Sequence, residues 1–332
     1  MVSKNDYMLV TGGLGYIGSH TVVELLKLNK KVIIIDNLSN SKKKTTLKIK
    51  KISKKKFLFF AIDIRSKKLD YIFKKYKINL VIHFAGLKSV IESKKKPNLY
   101  KRNNIQGTQN LLNVMKKNKC FNIIFSSSAC VYDEKNTPPI KETDKLNPKS
   151  PYGKSKLKIE NMLRKESKTN LNWNIIILRY FNPLGAHPSG HLKEDISKAE
   201  NIVPNITKVL KNKKDFFKIY GSNYDTRDGT CLRDYIHVVD LAKSHISSIK
   251  ICKKNVFKII NIGTGKPYSV KELLYGFVKY LKKEIPYKVV KRRPGDIPIS
   301  YSDIKKQLKI LKFKAKYNLN DMIKHTMNSV NL

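Results

Sequence analysis

"YMLVTGGLGYIGSHTVVELL", Tyr7 to Leu26, is an apolar run, a glycine-rich turn and an amphipathic run, in that order. The apolar run predicts a strand over 7–11, and the helical spacing after the glycines predicts a helix near 16–28. Gly13, Gly15 and Gly18 satisfy G-x-G-x-x-G, while Gly12, Gly15 and Gly18 satisfy the looser G-x-x-G-x-x-G. Glycines here permit a tight turn, close approach of backbone N–H groups to a diphosphate, and contact between helix and strand. The anion would sit at the positive end of the helix. Such a pattern alone is weak, but "KVIIIDN" follows it, with Asp36 eighteen residues after Gly18 at the end of a second apolar run. A carboxylate there can accept from both hydroxyls of an adenosine ribose and would repel a 2′-phosphate, which favours NAD over NADP.

Outward from this unit, strands are predicted at 31–36, 57–61, 80–84, 121–126 and 174–179, with helices near 66–76, 98–118 and 152–168. Alternation of this kind argues for right-handed βαβ units and a parallel sheet covered on both faces. The predicted class is therefore α/β, a Rossmann-like doubly wound parallel sheet with a smaller α/β substrate-binding lobe. After Arg179 the rhythm changes, and "FNPLGAHPSGH" and "SNYDTRDGT" interrupt shorter elements. Residues 1–180 read as the nucleotide-binding domain, rejoined by the segment around 235–260, and residues 181–332 as the second domain. The lysine runs at 42–44 and 54–56 read as solvated loop.

The chain has 332 residues and a net charge of +44, which invites a nucleic-acid reading. The distribution argues otherwise: all but eight of the 69 basic residues are lysines, scattered through every segment. That pattern fits solvated surface lysine enriched by an A/T-rich coding sequence better than a polyanion site, so no specific nucleic-acid partner is expected. No apolar run approaches the roughly 20 residues that span a bilayer, and no charged-then-apolar leader precedes the first strand. A cytoplasmic protein without a membrane partner is expected. Cys120, Cys130, Cys231 and Cys252 lack C-x-x-C spacing and read as reduced thiols, with no structural metal.

"SPYGKSKLKIE", Ser150 to Glu160, sets Tyr152 and Lys156 four residues apart at the start of a predicted helix. The spacing by itself decides nothing, since a chain this rich in lysine would hold about three Y-x-x-x-K matches by chance and holds five. Context singles out Tyr152 against Tyr71, Tyr275, Tyr287 and Tyr301. It follows a completed nucleotide-binding half, and it lies 24 residues after Ser128, at the end of the apolar strand "FNIIFSSS". The carboxyl ends of strands line the ligand crevice in a doubly wound sheet. A phenol needs neighbouring cations to act as a base at neutral pH. Lys156 and a positive nicotinamide ring could lower its pKa, with Ser128 relaying a hydrogen bond to the reacting hydroxyl.

Together "TGGLGYIGSHT", "DNLSNS", "VIHFAGLKSV", "FSSSACVY", "SPYGKSK", "LRYFNPLGAHPSG", "DGTCLRDYIHVVDLA" and "RRPGD" resemble the UDP-glucose (UDP-galactose) 4-epimerase family of extended short-chain dehydrogenases/reductases. The likeness covers nearly all of the chain. It implies tightly held NAD, a homodimer through the helices near 98–118 and 152–168, and a hydride round trip at C4 of a UDP-hexose. Tyr152 would take the 4-OH proton, aided by Ser128 and tuned by Lys156. For the cofactor it implies Gly12, Gly15, Tyr16, Ile17 and Gly18, then Asp36, Asn37, Asn40 and Ser41, and Asp63 and Ile64 against adenine. Phe84, Ala85, Gly86, Lys88, Asn104 and Phe181 complete that set beside Tyr152 and Lys156. For the UDP-sugar it implies Asn182, Asn201, Ile202, Arg233, Arg293, Asp296 and Ser300, with Ser128. Two arginines at diphosphate positions suit a planar bidentate fork.

Departures from the family pattern are Cys130 in place of Thr, and Asp133 in place of Gly. Ser300 stands where the family uses a bulky Tyr to restrict sugar size or a small residue to admit a 2-N-acetyl group, so UDP-N-acetylhexosamines are also expected substrates. A sugar-nucleotide 4,6-dehydratase would resemble this chain but carry adjacent Asp-Glu residues, which "SSSACVY" lacks. A non-catalytic Rossmann protein binding polyanions would lack an active-site residue, and none is missing. His187, His191, Glu194 and Asp195 sit in a Pro/Gly loop where helical ligand spacing does not apply. His83 reads as a core residue.

Overall fold

Residues 6–195, 201–253, 255–293 and 295–330 are described in a computed structural model. The nucleotide-binding half runs β1 (Tyr7–Thr11), α1 (Tyr16–Lys27), β2 (Lys31–Ile35), α2 (Thr45–Ser53), β3 (Leu58–Phe60), α3 (Lys68–Lys75) and β4 (Ile78–His83). It continues through α4 (Val90–Lys95), α5 (Pro97–Tyr100), α6 (Gly107–Lys117), β5 (Asn122–Ser128), α7 (Pro151–Thr169) and β6 (Asn174–Tyr180). Then follow β7 (Asn182–Leu184), α8 (Ile202–Leu210), β8 (Phe217–Tyr220), β9 (Leu232–His237), α9 (Val238–Ile251) and β10 (Phe257–Ile262). The chain closes with β11 (Pro267–Ser269), α10 (Val270–Leu281), β12 (Tyr287–Val290), β13 (Ile299–Ser300) and α11 (Leu319–Asn328).

Seven strands form one parallel sheet in the order β10-β6-β5-β4-β1-β2-β3. Successive strand residues alternate between two cores. Val10, Ile34, Ile82, Ile124, Ile176 and Ile260 join one face, with α1 and α9 above it. Leu9, Ile33, Val81, Ile123 and Ile175 join the other, under α3, α6 and α7. With both faces covered, each strand must be apolar throughout, which explains runs such as "KVIII" and "NIIIL". Each such buried side chain contributes on the order of 1.5–3 kcal/mol. The strand order reverses between β1 and β4, and that opens a crevice at the carboxyl ends of the strands.

A third core, including Leu184, Ile206, Phe217, Leu273, Phe277 and Ile323, underlies the later elements. There β9 is flanked by antiparallel β11 and parallel β13, with β7 also paired to it, and β8 pairs with β12. The segment after Arg179 thus leaves the large sheet and returns to it, since β10 pairs with β6.

Two local differences from the sequence reading have physical causes. The predicted helix over 98–118 is broken by a π-helical stretch, Lys101–Gln106, which turns Asn104 into the interior. A helix at Thr45–Ser53, between the two lysine runs, escaped notice because only Ile49 and Ser53 are buried, too few for a visible apolar stripe.

Candidate active site

The site begins at α1. Its N-cap is Gly15, with no side-chain cap and no acidic residue in the first turn, so its first N–H groups are left for an anion. An added Cβ at Gly18 would lie 2.3 Å from the carbonyl oxygen of Gly12, so glycine is required for helix and turn to pack. The turn is braced by Asp36 at the end of β2. Its carboxylate accepts from Leu14 N at 3.0 Å, Leu38 N at 2.9 Å and the Ser41 hydroxyl at 2.7 Å. Asn37 donates to Asp63 at 2.8 Å, and Arg65 forks onto the same carboxylate at 2.8 and 2.7 Å. That guanidinium holds the Asp63 carboxyl well below the usual range. Asn40 is exposed nearby in sequence, and Ile64 is buried, its carbonyl accepting from Asn110. An open helix end, a brace beneath it and a carboxylate at the strand end fit a dinucleotide.

Along β4 and its following loop, Phe84 packs against His245 at a ring distance of 4.7 Å, and Ala85 N donates to Thr11 Oγ1 at 3.4 Å. Gly86 faces the Asn104 amide, 3.4 Å from the position of an added Cβ. Asn104 itself is spent within the chain: it accepts from Leu87 N and donates to Leu87 O and Ser155 Oγ. It pins the loop after β4 to α7. Lys88 is exposed and pairs with Glu194 at 2.6 Å, and Asn201 donates to the same carboxylate at 2.9 Å. Tyr16 crosses from α1 to the second lobe, its hydroxyl donating to Gly185 O at 2.5 Å.

Ser128, Tyr152 and Lys156 converge where β5 ends and α7 begins. Ser150 caps α7 through the Gly153 N–H at 3.0 Å, and Pro151 occupies the first helical position, so the helix starts one residue before Tyr152. Tyr152 is 8% exposed, packs with Leu87 and Tyr100, and has the Ser128 hydroxyl near enough to lower its pKa. Burial raises its pKa well above 10, although the Ser128 hydroxyl acts the other way. Lys156 donates to the Ser126 carbonyl at 2.7 Å, and its ammonium lies 5.9 Å from the centre of the Tyr152 ring. Burial lowers its pKa to about 8, opposed by Glu160. The chain alone therefore sets the phenol in place without ionising it.

The second lobe presents its polar groups around β9. Arg233 donates to the carbonyls of Leu232 and Ile297 at 2.9 and 2.8 Å, and lies 3.7 Å from Asp296. Ser300 of β13 pairs in register with Arg233, and the Arg293 guanidinium stacks 3.7 Å from the Tyr220 ring centre. Asn182 is exposed on β7, Phe181 is buried beside it, and Asn201 with Ile202 opens α8. Cys130, an exposed residue on the loop after β5, feels the charges of both Arg233 and Lys156, which brings the arginine of β9 toward the start of α7.

Sequence reasoning missed Glu194, Tyr180, Glu160 and Arg179. Tyr180 shares a hydrogen bond with the Ser126 hydroxyl, directly beside the carbonyl that takes Lys156. The only signal for it was its place at the end of a predicted strand. His187 is buried against His20, with its Nδ1 bonded to Ser189.

A dinucleotide cradle, a Ser-Tyr-Lys set and an arginine-bearing lobe together define an NAD-dependent short-chain dehydrogenase/reductase of the extended kind that acts on nucleotide sugars. A family model described as GDP-mannose 4,6 dehydratase matches residues 9–326. The chain belongs more narrowly to the UDP-glucose 4-epimerase family. It is 46% identical to the UDP-glucose 4-epimerase of Dictyostelium discoideum, over 96% of this chain and 94% of that one. The UDP-glucose 4-epimerase of Bifidobacterium longum, solved with NAD+ and UDP, superposes with a TM-score of 0.93 at 42% identity, covering 97% of each chain. The enzyme of Stenotrophomonas maltophila, solved with NAD and formylated UDP-arabinopyranose, gives a TM-score of 0.95 at 37% identity, covering 98% of this chain and 97% of that one.

Proposed function

We propose that this protein is an isomerase that interconverts UDP-glucose and UDP-galactose at C4 through a 4-keto sugar. Bound NAD supplies the hydride acceptor and donor and, in its oxidised form, a positive charge beside the phenol. The chain's own residues do the rest. Ser128 orients the sugar 4-hydroxyl and shares a hydrogen bond with Tyr152. Tyr152 takes the hydroxyl proton as hydride leaves C4, and returns it after the keto sugar has turned its other face. Lys156, anchored on the Ser126 carbonyl, supplies a fixed ammonium on the same helix face as the phenol. The convergence of Ser128, Tyr152 and Lys156 where β5 ends and α7 begins, in the sheet whose α1 end is left uncapped, is the observation that carries this reading.

In the same reading, Gly12, Gly15, Tyr16, Ile17 and Gly18 cradle the cofactor diphosphate, with Asp36, Asn37, Asn40 and Ser41 at its ribose and Asp63 and Ile64 at adenine. Phe84, Ala85, Gly86, Lys88 and Phe181 line it, and Asn104 shapes the loop that does so. Asn182, Asn201, Ile202, Arg233, Arg293 and Asp296 take the UDP moiety. Ser300, small and in register with Arg233, leaves room for a 2-N-acetyl group, so UDP-N-acetylglucosamine and its galacto epimer are further substrates. Residues 1–180 together with the segment that carries β10 form the cofactor domain, and the remainder forms the substrate domain. The working unit is a homodimer in the cytoplasm, and the scattered lysines serve no specific nucleic acid.

Purified protein, with no NAD added, should release NAD on heat denaturation and convert UDP-galactose to UDP-glucose. Absence of conversion in NAD-supplemented, folded protein would sink the proposal. Turnover of the plain pair with none of the acetylated pair would sink the Ser300 reading alone.

A further inference from the structure

Tyr152, Lys156 and Glu160 follow one another at one-turn intervals along α7. The first two act on substrate; the third meets an arginine. Arg179 lies on β6 opposite Ser127 of β5, on the face that Ile175 and Ile177 hold in the second core. Its guanidinium donates Nε to Glu160 Oε1 at 3.0 Å and Nη2 to Oε2 at 2.6 Å, while the Ser127 hydroxyl donates to Oε1 at 2.5 Å. The two side chains are 1% and 2% exposed. Arg179 also donates to the Tyr132 hydroxyl at 3.1 Å and to the Glu142 carbonyl at 3.2 Å, which ties in the loop that carries Cys130.

Taking both charges out of water costs heavily, and well-packed apolar residues commonly serve stability as well or better. Stability therefore does not account for this pair. Its placement does: three consecutive serines of β5 each engage a different part of the site. The Ser126 carbonyl holds Lys156, the Ser127 hydroxyl holds Glu160, and the Ser128 hydroxyl acts on the Tyr152 phenol, opposing the rise in its pKa.

We propose that Glu160 and Arg179 are positioning residues for the epimerisation described above, a buried ion pair that locks α7 to the end of β5 and fixes the charge balance around Lys156. The inference rests on that functional reading. The charged and titratable groups around Lys156 are Glu160 and Tyr152 on α7, Cys130 on the loop after β5, His83 on β4 and Tyr180 on β6. Of these, Glu160 is the carboxylate and the leading influence that favours the ammonium. Arg179 limits that influence by neutralising Glu160.

The two single variants should therefore act in opposite directions. Glu160→Gln removes a negative charge, which should move the pH profile of kcat toward acid by about 1 unit. Arg179→Met exposes Lys156 and Tyr152 to an unneutralised carboxylate, and should move it toward alkali. The double variant Glu160→Met/Arg179→Met should recover the melting temperature lost in the single variants while its profile stays displaced toward acid. Profiles superimposable on that of wild type in folded, NAD-loaded variants would overturn the proposal. So would a double variant that fails to fold, since the pair would then be structural. Wild-type protein without epimerase activity would instead count against the functional reading.

Discussion

Tyr152 shows how far one side chain can be read from its neighbours. The phenol is buried and its pKa raised, so the chain by itself keeps it protonated at neutral pH. Tyr152→Phe should lower kcat by about 10²–10⁴-fold while bound NAD, measured after heat release, is unchanged. Lys156, with a pKa lowered to about 8, holds its proton below that value and loses it above, so kcat should fall as pH rises past about 8. A rate that keeps climbing through pH 9 would contradict this role. Ser300→Tyr should abolish turnover of the N-acetylated pair and spare the plain hexoses, as a competition assay with both substrates would register. Tyr152 was legible only by position, because five Y-x-x-x-K pairs share its spacing. Glu160 and Arg179 were not legible, since a buried ion pair joins residues 19 apart with no pattern in the chain.

At the scale of elements, α7 depends on one close approach. A Cβ on Gly153 would lie 2.4 Å from the Cys130 carbonyl and 2.9 Å from Pro148 Cβ. Gly153→Ala must push the helix start away from the loop after β5, which separates Tyr152 from Ser128. Activity should fall at least about tenfold, out of proportion to a small loss in melting temperature, because a misplacement near 1 Å costs that much or more. Six of the seven strands of the large sheet, β1 to β6, and helices α1, α3 and α7 were readable from apolar periodicity, whereas β10 was foreseen only within a rejoining segment around 235–260. Helix α2 was not, because it buries too little to leave a pattern, and the π-helical turn was not, because it follows from where Asn104 must reach.

Across the whole molecule, burial decides the response to acid. It lowers the pKa of His20 and His245 to about 4, of His83 and His187 to about 3, and of His237 to about 2. His237 Nε2 and His325 Nδ1 are 3.0 Å apart, and His187 packs on His20, so β9 meets α11, and α1 meets the loop after β7, through imidazoles. Each stays neutral when folded and gains a proton when unfolded near pH 6.5, so stability is complete above that value and is lost below it. The loss is about 1.4 kcal/mol per pH unit for each imidazole. The melting temperature should drop steeply between about pH 6.5 and pH 5; a flat profile would refute the neutral cluster. The +44 charge adds self-repulsion, so the melting temperature should also rise from low to moderate salt. By itself the sequence determined the first six strands of the sheet, the glycine turn and the family, because apolar periodicity and glycine requirements are local and repeat along the chain. Tertiary structure alone decided that Glu194 meets Lys88 and Asn201, that Asn104 pins the loop after β4 to α7, and that Arg179 pairs with Glu160. Those contacts join distant residues whose energies depend on burial, which only the folded chain creates.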